Sequence, residues 1–173
     1  SQRTKEAVAI LSDLGTPCLI HQPSYSMLNR WVEDDGLLKT LGDLGIGSIA
    51  FTPLAQGLLT NKYLRGVPAQ SRANQAKSLD RQKITSELVE NLNALNEIAN
   101  GRGQTLAQMA LAWVLRDDRV TTALIGASSS KQVVDCAGAV DNLSFTDSEL
   151  AEIDKLSGDL GINLWAKSSE IEE

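Results

Sequence analysis

Three short stretches place residue types that could hold an anionic, planar ligand. Gly126-Ala127-Ser128-Ser129-Ser130 sets small residues ahead of a predicted helix start. Small residues let a ligand approach the backbone closely. Serine hydroxyls and the free N–H groups of a helix N-terminus are donors to an anion, and Lys131 adds a positive charge. Phe51-Thr52-Pro53-Leu54 offers an aromatic face, with Lys62, Arg65 and Arg72 further along the same loop. Gln22-Pro23-Ser24-Tyr25 brings a carboxamide and two hydroxyls. An aromatic face beside phosphate-compatible donors is the chemistry of a nucleotide site. A plainer account stays open here, in which Phe51 is core, Gly126 is a turn and the cations are solvated. Metal chemistry is not expected. His21 is the single histidine, and Cys18 and Cys136 lack metal-ligand spacing.

These stretches need a scaffold, and the apolar pattern supplies one. KEAVAILSDL (5–14) has helical spacing and stops at Gly15. TPCLIHQ (16–22) reads as a strand, DGLLKTLGDLG (35–45) as a helix, and IGSIAFT (46–52) as the next strand. The polar stretch 53–83 is too long for an ordinary connection, so it is expected to be functional or mobile. ITSELVENLNALNEIAN (84–100) and TLAQMALAWVLRD (105–117) are predicted helices, the second capped by Thr105. VTTALIG (120–126) is a third strand and SKQVVDCAGAV (130–140) a helix. Thr146 and Glu149 form a capping box for a last helix over 147–157. Strands separated by helices imply parallel βα units, and in such folds ligands sit beyond the C-terminal ends of the strands. All three candidate stretches fall there. No repeat or linker is visible, so residues 1–173 read as one domain.

Bulk properties narrow the partners. The 173 residues carry a net charge of −6, with a pI near 4.8 and mean hydropathy of −0.13. A nucleic-acid partner is not expected of an acidic chain without a basic tract. Any anion must be held by a local device. No apolar run approaches the roughly 18 residues of a membrane span, and the polar opening SQRTKE does not read as a signal peptide. The cysteine usage fits a reduced, cytoplasmic compartment, with one disulfide left open.

The stretch FTPLAQGLLTNKY (51–63), continuing to Gly66, Pro68 and Ser71-Arg72, resembles the aldo-keto reductases. Within them it is most similar to the branch of potassium-channel beta subunits and bacterial L-glyceraldehyde-3-phosphate reductases. IHQPSYSMLNR (20–30), TLAQMALAWVL (105–115), LIGASSSKQV (124–133) and NLWAKSS near the end carry the same resemblance. It implies an α/β fold, the last three βα units of a (β/α)8 TIM barrel, incomplete as given. It implies NADP(H) as cofactor and a small aldehyde as substrate, such as L-glyceraldehyde 3-phosphate or methylglyoxal.

By the resemblance, Gln22 would hydrogen-bond the nicotinamide carboxamide and Phe51 would stack on its ring. Thr52, Pro53, Leu54, Ala55 and Gln56 would follow the pyrophosphate, and Lys62 and Arg72 would belong to a loop folding over the cofactor. Gly126 and Ser128 would approach a phosphate, with Gln132 and Asp135 around the adenosine end. Tyr25 would either line the substrate pocket or pack, and Arg65 reads as solvated. Ser129 and Cys136 depart from the family's usual arginine and asparagine. Loss of that arginine removes a charge-assisted contact worth roughly 1.5–3 kcal/mol, which loosens the preference for NADPH over NADH. Cys136 reads equally as a small buried helix residue.

The family's catalytic aspartate, tyrosine, lysine and histidine lie on earlier strands, so none is expected here. Tyr25, Tyr63 and His21 do not match them, and alternation turns His21 away from Gln22. The chain is therefore expected to be the C-terminal part of a longer reductase, inactive alone. It would associate with the missing half or form an oligomer. A binding module without turnover, or an inert fragment, are the alternatives.

Overall fold

The structure is a computed structural model, and it describes residues 1–68 and 81–159. Three strands, β1 (Ile20–His21), β2 (Gly47–Phe51) and β3 (Thr122–Leu124), form one parallel sheet in that order. Ile20 lies opposite Gly47 and Phe51 opposite Leu124. Helix α1 (Gln2–Asp13) precedes β1, and α2 (Trp31–Asp34) and α3 (Leu37–Asp43) join β1 to β2. After β2 come α4 (Ser86–Gly101) and α5 (Leu106–Leu115). Helix α6 (Ser130–Ala137) follows β3 and α7 (Asp147–Leu156) comes last. Among the described residues, parallel strands alternate with helices, as the sequence pattern implies.

The core lies between the sheet and α4 and α5. Helix α5 is apolar nearly all round, and Leu106, Met109, Ala110, Trp113 and Val114 are all buried. A helix that is apolar on every side must be surrounded, and α5 touches α4, α6, β3 and the 3₁₀ turn Gly138–Asp141. Along β2, Ser48 and Ala50 are buried on the helix side, while Gly47, Ile49 and Phe51 are half-buried on the other. This is the two-residue alternation of a strand with one covered face.

Several elements are shorter than the sequence suggests. The strand expected over 16–22 is in register only from Ile20, although the Leu19 carbonyl already accepts from the Gly47 N–H at 2.9 Å. The helix expected over 35–45 begins at Leu37. Gly36 before it adopts φ 68°, a left-handed conformation that ends α2 and starts α3. The helix expected over 130–140 tightens to 3₁₀ geometry at Gly138, where a Cβ would meet the Gln108 Nε2 at 2.6 Å. The caps are local, and the sequence reading of them holds. Thr105 Oγ1 accepts from the Gln108 N–H, Thr146 Oγ1 accepts from the Glu149 N–H, and each box is closed by its return hydrogen bond.

Candidate functional site

Among the described residues, every positive φ at a residue other than glycine falls in the segment leaving β2. Thr52, Ala55 and Gln56 have φ of 54°, 47° and 59°, and Gly57 has 98°. Side chains with a Cβ rarely occupy this left-handed region, and each such residue costs on the order of 1–3 kcal/mol and persists only where its surroundings hold it. The surroundings do so here. The Ala55 N–H donates to the Thr52 carbonyl at 2.9 Å, and the Gly57 N–H to Leu54 at 2.8 Å. The Thr60 hydroxyl closes the turn on the Gly57 carbonyl at 2.7 Å. Pro53, Ala55, Leu58 and Leu59 are buried beneath. The Gln56 Oε1 is buried and has no hydrogen-bond partner. The strain thus sits at the C-terminal end of the central strand, where parallel folds bind ligands.

Gln22 follows β1 and is exposed, as is Ile20. Ile20 lies opposite Gly47, so strand alternation puts Gln22 on the sheet side of Ile49 and Phe51. His21 takes the other side, opposite Ser48. Its Nδ1 and the Ser48 Oγ are both buried without a partner, and burial lowers the His21 pKa from 6.5. His21 therefore belongs to the helix-facing side.

Tyr25, which the sequence left between pocket and packing, packs. It is fully buried, its ring 5.4 Å from that of Trp113. Its hydroxyl donates to the Glu33 Oε1, and Arg116 Nη1 approaches that hydroxyl at 3.4 Å. Burial pushes the phenol pKa far up, so it stays protonated. Tyr63 is also buried. Neither tyrosine is exposed at the strand ends.

At the end of β3, the Ser128 N–H and hydroxyl both donate to one atom, the Gln132 Oε1, at 2.8 and 3.1 Å. Two donors converging on a single oxygen mark a point where an anionic oxygen could substitute. The Ser129 hydroxyl accepts from the Gln132 N–H and caps α6. A Cβ built on Gly126 would meet nothing within 4 Å, so the backbone there is open. Asp135 is turned toward α5. Its carbonyl accepts from Gln108 Nε2 at 2.9 Å, and its carboxylate lies 3.5 Å from the Thr105 hydroxyl. Lys62, Arg65 and Lys131 are exposed. Arg72 and the NLWAKSS stretch lie outside the described residues. Cys18 and Cys136 are both free and half-buried, and burial raises the Cys136 thiol pKa.

The structure thus collects Gln22, the Phe51–Gln56 segment and the Gly126–Gln132 turn at the C-terminal ends of three adjoining parallel strands. Some features had no sequence signal. No glycine announces the left-handed backbone at Thr52, Ala55 and Gln56. Nor did the sequence reveal the Arg102 side chain, which ion-pairs with Glu149 at 2.9 Å and lies 3.7 Å over the Phe145 ring. A cavity of about 810 Å³ opens near the other end of the sheet, lined by Arg116, Asp117, Arg119, Phe145 and Leu150. Its charges are largely engaged: Arg119 Nε donates to Asp117 Oδ1 at 2.7 Å and lowers that carboxyl's pKa. Among the described residues, no group of three or more His, Cys, Asp and Glu could hold a metal ion. No described helix is long and apolar enough to cross a membrane.

Comparison with known proteins bears on this geometry. Residues 2–157 match the aldo/keto reductase family. The chain is 50% identical over 98% of its length to the L-glyceraldehyde 3-phosphate reductase of Escherichia coli K12, covering 50% of that protein. It is 30% identical over 88% of its length to a probable voltage-gated potassium channel subunit beta of Oryza sativa, covering 48% of it. A solved holo-form aldo-keto reductase from Bacillus halodurans superposes with a TM-score of 0.59 at 25% identity, over 86% of this chain and 46% of that one. The chain spans about half the length of the curated relatives it matches.

Proposed function

Because this chain belongs to the aldo/keto reductase family, we propose that it forms the cofactor-binding side of an NADP(H)-dependent reductase of small aldehydes. The observation that carries this reading is the Thr52–Gln56 segment, strained backbone held at the end of the central strand. Strain of this kind persists where the surroundings fix it, and it clusters at ligand sites. The similarity to a reductase named for L-glyceraldehyde 3-phosphate supports that aldehyde class. Methylglyoxal is the simplest assay substrate of the class.

The residues present fit the cofactor. The open backbone at Gly126 and the convergent Ser128 donors suit a phosphate. Half-buried Phe51 and exposed Gln22 share the sheet face on which a planar ring would rest. In this reading NADP(H), when bound, supplies the hydride. Phe51 orients the ring, and Gln22 fixes it by its carboxamide. The Thr52–Gln56 backbone excludes water along the track. Lys62, with Arg72, offsets negative charge that the acidic chain as a whole would repel. Asp135 tethers α6 to the start of α5, which steadies Ser128 and Gln132.

No tyrosine of this chain is exposed to protonate a substrate oxygen, since both are buried. The proton donor is therefore assigned to βα units outside these residues. Residues 1–173 act as one domain, the last three βα units of a (β/α)8 barrel, in a cytoplasmic protein. A second reading, a nucleotide-binding module without turnover, draws on the same buried tyrosines and on the similarity to channel subunits.

The test is a titration of residues 1–173 with NADPH, following cofactor fluorescence and absorbance together in the presence of methylglyoxal. Saturable fluorescence change without turnover is expected, and Phe51→Ala should weaken binding about tenfold or more, the ~1.4 kcal/mol of one lost stacking contact. Turnover by these residues alone would overturn the assignment of the proton donor elsewhere. Absence of any fluorescence change would overturn the cofactor reading.

A further inference from the structure

Phe51 is the last residue of β2 before the left-handed turn, and the segment after Gln22 binds its backbone. The Phe51 N–H donates to the Pro23 carbonyl at 2.9 Å, and the Phe51 carbonyl accepts from the Tyr25 N–H at 3.1 Å. Gln22 and Phe51, to which the cofactor reading gives the nicotinamide ring, are thus joined through the backbone of Pro23, Ser24 and Tyr25. A displacement of Tyr25 carries both with it.

Tyr25 is fixed from the helix side of the sheet. Alternation turns its side chain the same way as that of His21, and it is fully buried against Trp113 of α5. Its hydroxyl donates to Glu33 Oε1. Glu33 lies on α2 and is aimed by an arginine. Arg30 Nε and Nη2 both donate to Oε2, at 2.9 and 2.6 Å, which leaves Oε1 for the phenol. The Arg116 guanidinium lies 3.8 Å over the Trp113 ring, with Nη2 3.6 Å from Glu33 Oε1. A hydrogen bond to an ionised carboxylate is roughly twice as strong as one between neutral groups. Helix α2 holds the segment a second time, through Trp31 Nε1 on the Ser24 carbonyl at 2.8 Å. Packing alone does not ask for this cluster, because a phenylalanine at position 25 would fill the same space against Trp113. A part-buried ion cluster is weak evidence for stability, but this one fixes a single place for the phenol.

We propose that Glu33 is a positioning residue for the nicotinamide end of the cofactor, acting through the Tyr25 hydroxyl and the Tyr25 backbone on Phe51 and Gln22. The inference rests on reading the chain as an NADP(H) site, and it adds to that site a residue on the far side of the sheet.

The test compares two ligands of residues 1–173 by isothermal titration calorimetry. One is NADPH, and the other is the 2′-phosphate of ADP-ribose, which is the cofactor without its nicotinamide. Tyr25→Phe removes the hydroxyl and keeps the ring on Trp113. Since the Trp31 contact remains, the effect is a displacement: the NADPH Kd should rise about fivefold, and that of the nicotinamide-free ligand should change by less than about twofold. Glu33→Ala should show the same split. The double variant should bind NADPH no more weakly than Glu33→Ala alone, because the two residues act in series. Far-UV circular dichroism checks the fold, and the conservative Tyr25→Phe decides the matter if Glu33→Ala does not fold. A merely structural role would weaken both ligands by the same factor. That result, or an unchanged NADPH affinity in Tyr25→Phe, or additive losses in the double variant, overturns the proposal and leaves the cofactor reading standing. An unsubstituted chain that binds neither ligand overturns the cofactor reading itself, and this proposal with it.

Discussion

Replacing Arg102 by alanine should unfasten the segment that joins α6 to α7. The Arg102 side chain is only 4% exposed. Its Nε donates to Gln104 Oε1 at 2.9 Å, and Nη2 donates to the Ser144 carbonyl at 2.9 Å. Its plane covers Phe145, and Nη1 pairs with Glu149. Not all of this is lost with the side chain. The Asn142 carbonyl keeps the Gln104 Nε2 donor at 3.1 Å. Ser144 is exposed, so its carbonyl returns to water. Glu149 keeps the Thr146 N–H at 2.7 Å and is partly solvated, so the ion pair counts for less than about 1 kcal/mol.

The residual losses are larger. Gln104 is buried, and its stranded carboxamide oxygen costs about 1–3 kcal/mol. The lost cation–π contact adds roughly 1 kcal/mol. Arg102→Ala should therefore destabilise by about 3 kcal/mol and lower Tm by ~6–12 °C. Arg102→Lys should recover little, because an ammonium supplies neither the plane nor the fork. Urea unfolding followed by circular dichroism measures the change. A loss below about 1 kcal/mol for Arg102→Ala, or full rescue by lysine, would refute the reasoning that burial and planarity make this contact matter.

Other predictions follow the same logic. His21 binds a proton less readily folded than unfolded, where its pKa is 6.5. Its contribution to stability is thus complete above that value and declines as the pH falls below it; His21→Leu should flatten the urea midpoint between pH 7 and 5. Thr105→Ala removes the Gln108 cap and should cost about 1 kcal/mol by thermal melting. It should also weaken NADPH binding, since the Thr105 hydroxyl also contacts the Asp135 carboxylate at 3.5 Å. Gln56→Gly relieves a left-handed φ of 59° and should raise stability by about 1 kcal/mol in urea, while weakening NADPH binding measured by fluorescence.

What could be read from the sequence divides by the range of the forces involved. The capping boxes at Thr105 and Thr146 bond residues only three positions away, so local pattern suffices for them. The alternation that sends His21 to one side and Gln22 to the other follows from strand geometry alone. The parallel βα order, and with it the place of the three candidate stretches at strand ends, was legible in the alternation of strand and helix patterns. Resemblance to a family pointed to the cofactor, because FTPLAQG and IGASSS are motifs that survive without their context. The direction of Tyr25 was undecidable from its neighbours. It is set by Glu33, by Trp113 and by an arginine 91 residues away. Nothing in their residue types forces Thr52, Ala55 and Gln56 to positive φ. Only the buried Pro53, Leu58 and Leu59 and the hydrogen bonds of the turn hold them there. Burial and strain arise from surfaces that meet only after the chain has folded, and tertiary structure alone decided them.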